Sequence, residues 1–262
     1  IVGETWIGDA AKLCYYQKDF PNKDGFNTHL KSITDFPLMD AIHAAFNEEG
    51  GGWSDGMMRL YNSLANDHLY PAPLNMVVFP ENHDAGRIYT ILKEDLDKLK
   101  MVTAFTATVR GIPQWYYGSE ILMTGKGHES HADIRDDFPG GWPGDSTNAF
   151  VPEGRTPEQN EMVNYLTRLL NFRKESRAIH DGKTLHFVPQ DHVYVYFRYL
   201  NDEAVMVILN NAEESRTIKS NRYRRILSQY NNGRDVMSGE PLESLKKFEI
   251  PPHSAKIIDL KK

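Results

Sequence analysis

The chain has 262 residues, 30 basic and 36 acidic side chains for a net charge of −6, and 40% hydrophobic content, which allows one large or two modest globular domains. No run of Lys or Arg exceeds two, which argues against nucleic acid as the main ligand, and no stretch approaches the ~20 apolar residues that span a bilayer. The single cysteine, Cys14, excludes an internal disulfide, and no Cys-His nucleophile pattern surrounds it, so a semi-buried packing role is expected.

The chain opens on Ile1-Val-Gly-Glu4-Thr-Trp6, a short apolar strand ending in a carboxylate. An aromatic wall beside Glu4 would desolvate it, raise its pKa and keep it protonated as a general acid, and Trp6 offers a face to a sugar ring. With no Met, signal peptide or polar arm ahead of Ile1, the expectation is a chain cut upstream. Asp9 to Phe20 predicts a short helix, 21–25 a turn, and His29 to Thr34 a strand. Pro37 then opens a helix with the stripe Leu38, Met39, Ile42, Ala45 and Phe46, stopped by Gly50-Gly-Gly52, and Ser54 begins another through Met57, Met58, Tyr61, Leu64 and Ala65.

Leu74 to Phe79, between Pro73 and Pro80, reads as a strand buried on both faces that runs straight into Asn82-His83-Asp84. Three consecutive polar groups at a strand end suit the vicinal hydroxyls of a sugar, and Asp84 suits positive charge developing at an anomeric carbon. No metal site is expected: neither H-E-x-x-H nor C-x-x-C occurs, and His128 and His131 lie in a Gly-rich loop without a helical frame. Lys93 to Arg110 is helical through Leu96, Leu99, Val102, Phe105 and Val109, with Gly111 as its stop. Residues 124–155 lack periodicity and predict a long loop over the site, with Asp133, Arg135 and Trp142 as contacts; pairing of Arg135 with a neighbouring Asp is an equal alternative. Trp6, Trp115, Tyr116 and Trp142 rank above Trp53 as stacking aromatics because they flank strand ends.

Thr156-Pro-Glu-Gln159 is a capping box for a helix reaching about Ser176. The period then changes to alternation in His192 to Phe197, Ala204 to Leu209 and Ser254 to Ile258, which indicates antiparallel strands. This divides the chain into residues 1–180, with β-then-α order, and residues 181–262, a β domain. The cluster Arg222, Arg224 and Arg225 is read as a solvated strand face.

Gly3-Glu4-Thr5-Trp6 resembles the general-acid motif of the α-amylase family of glycoside hydrolases, and Phe79-Pro80-Glu81-Asn82-His83-Asp84 its transition-state-stabilising motif. Gly111 to Glu120 resembles the family's eighth barrel strand, and Asp133 to Trp142 a loop of neopullulanase- and cyclomaltodextrinase-like members. The resemblance implies an α/β fold: the C-terminal half of a (β/α)8 TIM barrel followed by a small antiparallel β-sandwich domain. It implies Glu4 as general acid/base, Asp84 as transition-state stabiliser, and Asn82, His83, Arg87, Trp6, Tyr117, Arg135 and Trp142 as substrate contacts.

The resemblance also implies hydrolysis of α-1,4-glucosidic bonds in starch-derived oligosaccharides or cyclodextrins with retention. A retaining enzyme needs a carboxylate nucleophile about 5 Å from its acid, and no Gly-x-Arg-x-Asp motif for it occurs; Asp9, Asp35 and Asp40 have no matching neighbours. The chain alone is therefore expected to be inactive, completed by the N-terminal half of the same enzyme or paired as a homodimer. The rival is a catalytically inactive carbohydrate-binding or assembly module, and a third reading is an isomerase or glucanotransferase on the same barrel. No cofactor follows, except that calcium, where the family binds it, draws on the half outside these residues. The compartment, cytoplasmic or periplasmic/secreted, stays open.

Overall fold

The computed structural model describes residues 1–127 and 130–262; His128 lies outside them. The first part is a run of parallel strands, each followed by helix. Strand β1 (Val2–Gly3) leads to α1 (Ala10–Leu13), whose N-terminus is capped by the Asp9 carboxylate accepting from the Ala11 amide. Strand β2 (Ser32–Ile33) leads to α2 (Phe36–Ala45) and α3 (Met58–Ala65). Strand β3 (Val77–Val78) leads to α4 (Ile88–Ile91) and α5 (Leu96–Thr108), and β4 (Ile112–Pro113) to the long loop and α6 (Pro157–Glu175).

Strand β1 pairs in parallel with β2, and β3 with β4, while the Thr34–Val77 bridge joins the two pairs into one parallel series. The Asp35 amide donates to Val77 O (2.9 Å) and the Ile112 amide to Met76 O (2.8 Å), so neighbouring strand ends stay in register. Gly111 makes the last pairing possible: its φ is +102°, and a Cβ there would lie 2.6 Å from Met76 O. Buried Arg110 fastens the same corner by pairing with Asp35 and Asp67, each at 2.6 Å.

Several boundaries differ from expectation. Strand β3 starts after a 3₁₀ turn over Pro73–Asn75, since Pro73 has no amide for the ladder. Gly56, at φ +50°, delays α3 from Ser54 to Met58. Lys93 and Glu94 both turn left-handed, so α5 begins only where Asp95 caps it by accepting from the Lys98 amide. The capping box of α6 forms as expected, with Thr156 and Gln159 bonding reciprocally.

After α7 (Arg177–His180) come β5 (Lys183–Gln190), β6 (Val193–Leu200), β7 (Glu203–Asn210), β8 (Arg216–Lys219), α8 (Arg224–Leu227), β9 (Asn232–Asp235), β10 (Lys247–Ile250) and β11 (Ser254–Lys261). Five of these form a sheet in the order β5-β6-β7-β11-β9, and β8 pairs antiparallel with β10. Strand alternation divides the side chains: Tyr194, Tyr196, Val205, Val207, Leu209 and Ile257 share a core with α2, α3, α5 and α6, and Val193, Phe197, Met206 and Ile208 pack on Tyr223, Ile226, Phe248 and Ile250. Arg222, Arg224 and Arg225 occupy a 3₁₀ turn and α8, not a strand face, and Arg222 donates to Gln190 Oε1. Cys14 is fully buried, and burial pushes its thiol up. No helix among the described residues is long and apolar enough to cross a membrane.

Candidate active site

Because the strands are parallel, the residues just after β1 and β3 emerge at the same end of the sheet. Glu4 follows β1 and Asp84 follows β3, which is the placement that lets a parallel barrel gather catalytic side chains at its C-terminal face. Glu4 is exposed, contrary to the expected aromatic wall, because the Trp6 ring stacks on Phe36 of α2 at 4.6 Å and 17°. That stacking occupies one part of the indole, and Trp6 stays 54% exposed.

The loop after β3 is built from inside. Phe79 meets Phe36 edge-on at 5.2 Å. His43 of α2, which sequence reasoning did not single out, lies 2.6 Å from Pro80 O through Nε2; burial lowers its pKa, so the neutral ring donates that bond. Its apolar surroundings on the α2 stripe gave no functional signal. Asn82 is buried, and its Oδ1 accepts the Asp84 and Ala85 amides, both at 2.9 Å. Through Oδ1 it therefore shapes the turn that presents His83 and Asp84.

Asp84 is ringed by positive or titratable groups. Arg135 Nη2 lies 2.5 Å from its Oδ1, His83 Nε2 3.2 Å from Oδ2, and His131 Nδ1 3.6 Å from Oδ1. Arg135 Nε also donates to His83 O at 2.8 Å, so the long loop is fastened to the strand-end turn by one side chain. The Asp that Arg135 pairs with is thus Asp84, across the site, and not a neighbour within the loop.

Arg87, expected as a substrate-side contact, is fully buried. Its guanidinium lies 4.1 Å from the centre of the Tyr116 ring and 4.9 Å from that of Tyr117, and Nη1 donates to Tyr117 O at 2.5 Å. It sets these two tyrosines from below. Tyr117 is partly exposed, and its hydroxyl donates to Asp136 O at 2.7 Å, while Trp115 packs against the main core and Trp142 is 74% exposed. Asp133 accepts the Lys126 and Gly127 amides, which hold its carboxyl below the usual range; it organises the loop. Asp9 and Asp35 are spent as helix caps. Among the described residues, no group of three or more His, Cys, Asp or Glu is placed to hold a metal ion.

Parallel strands each followed by helix, and then an antiparallel sheet domain, are the architecture of part of a (β/α)8 barrel with a C-terminal β domain. Residues 1–182 match the alpha amylase catalytic domain, and residues 184–259 the cyclo-malto-dextrinase C-terminal domain. The chain belongs to the α-amylase family of glycoside hydrolases. It is 29% identical over 191 residues to a cyclomaltodextrinase from Geobacillus thermopakistaniensis, covering 71% of this chain and 29% of that protein. It is 29% identical over 244 residues to a cyclomaltodextrin glucanotransferase from Niallia circulans, covering 90% and 30%. The chain thus spans less than a third of either relative. An α-amylase from Geobacillus thermoleovorans, solved with acarbose, superposes with a TM-score of 0.75 at 19% identity over all of this chain and 53% of that one.

Proposed function

We propose that this chain is the C-terminal part of a retaining α-glucan hydrolase acting on α-1,4 bonds of starch-derived oligosaccharides or cyclodextrins. Glu4 is the general acid/base, and Asp84 stabilises the oxocarbenium-like transition state, oriented by Asn82 beneath it and by Arg135 and His83 beside it. We assign the nucleophile to a segment N-terminal to these residues, since none of them carries its expected motif; the chain alone is then expected not to turn over glucan. The observation that carries the reading is the emergence of Glu4 and Asp84 at one end of a single parallel series, and the substrate class follows from the relatives' names.

The test is turnover of a maltooligosaccharide and a cyclodextrin by a polypeptide that includes the upstream segment, before and after Glu4→Gln. Loss of a general acid removes on the order of 10²–10⁴-fold in rate. Equal turnover by both proteins would remove Glu4 from this role, and affinity without turnover in every version would leave a carbohydrate-binding module.

A further inference from the structure

Glu81 has no part in the assignments above, although it adjoins the Asn82–Asp84 turn and is only 1% exposed. Its Oε2 accepts the amide of Ile88, the first residue of α4, at 3.0 Å. Its Oε1 accepts the hydroxyl of Ser119, in the turn after β4, and that hydroxyl also lies 2.6 Å from Tyr116 O. The charged groups facing it are Arg87 from its own loop and Glu120 from the β4 turn. The titratable Tyr116 lies against the same Arg87. Three segments that carry site residues therefore meet at one interior carboxylate. Burial pushes it up to about 7, against the pull of Ser119, the Ile88 amide and Arg87.

We propose that Glu81 is a positioning residue for the chemistry at Asp84, holding the Asn82–Asp84 turn, the start of α4 and the Tyr116–Tyr117 segment in one arrangement that its protonation alters through Ser119. With Glu81 charged, the Ser119 hydroxyl donates to the carboxylate. When Glu81 takes one proton from solvent, its own O–H donates to the Ser119 oxygen, and the Ser119 hydrogen turns to Tyr116 O. No covalent bond apart from that O–H changes. The shift reaches Tyr116, whose ring packs on Arg87 together with that of Tyr117. The charged form is the competent one, because it accepts from α4 and the β4 turn at once. This inference rests on the proposed hydrolase reading.

The experiment measures kcat and KM for a maltooligosaccharide from pH 5 to 9, with tyrosine near-ultraviolet circular dichroism over the same range, in the polypeptide that includes the upstream segment. The wild type loses kcat below about pH 7 in a one-proton step, and its tyrosine signal titrates in parallel. Glu81→Gln lowers kcat roughly 10- to 100-fold, as small misplacements of catalytic groups do, leaves KM nearly unchanged, and abolishes both titrations. Ser119→Ala, which removes a donor from the carboxylate, moves the kcat step to higher pH and decides the matter should Glu81→Gln fail to fold. An unmoved step in either folded variant overturns the proposal. If no protein turns over glucan yet the tyrosine titration is present in wild type and lost in Glu81→Gln, the hydrolase reading falls and the coupling through Ser119 stands.

Discussion

Arg135 bonds to Asp84, His83 and His131, with different consequences. Its contact with Asp84 is a partly exposed ion pair, of a kind that contributes about 0–1 kcal/mol, but its bond to His83 O pins a long loop whose described residues hold little regular structure beyond a 3₁₀ turn over Pro152–Gly154. Arg135→Ala is therefore expected to leave the melting temperature within about 2 °C and to speed proteolytic cleavage within residues 130–155 several-fold. Unchanged cleavage, followed by limited proteolysis, would show that other contacts hold the loop. The residue scale is also where packing is least legible in the sequence. Asn82 and Arg87 have the chemistry of sugar-gripping groups, and nothing in their identity reveals that Asn82 bonds its own backbone and Arg87 turns inward under two tyrosines. Where Asp84 lies is legible, because the turn after β3 opens at the C-terminal end of the parallel series.

At the scale of elements, legibility followed how local the cause was. The Thr156–Gln159 box starts α6 as read, because both reciprocal bonds lie within one turn. The sequence pattern overstates the strands, since their limits depend on partners distant in sequence: β3 is confined by where Met76 and Val78 meet the β4 strand. Gly111 belongs to both cases. Its place after the apolar helical run marks a helix stop, and it is also the point where the chain grazes the β3 backbone. Gly111→Ala forces a left-handed conformation costing about 1–2 kcal/mol, and its Cβ would press on Met76 O at 2.6 Å. The expected loss is thus at least 1–2 kcal/mol in urea unfolding, while Gly25→Ala, with φ +77° but open space around the Cβ, costs the backbone strain alone. Equal losses at the two positions would mean that the β3–β4 corner relaxes around the added methyl.

For the whole molecule, the question is whether the parallel series and the C-terminal sheet form separate cooperative units. The change of sequence period near Asp181 suggests a boundary, but the core crosses it: Phe105 of α5 packs edge-on against Tyr196 of β6 at 5.8 Å, and the Tyr196 hydroxyl lies 2.5 Å from Thr108 Oγ1. Arg173 of α6 is buried with Nη1 on Ala107 O and Nη2 on Gly111 O, tying the helix that leads into the sheet to the β4 corner. One face of the sheet is thus the inner wall of the helical layer, and neither part covers its apolar surface alone. The two are expected to unfold together. All four tryptophans precede residue 143, so tryptophan fluorescence reports the first part, and hydrogen exchange of the β6, β7 and β11 amides reports the second. Coincident urea midpoints are the expected result; a sheet that keeps its protection after the fluorescence transition would show that its other face, against Tyr223, Ile226 and Phe248, suffices to hold it folded.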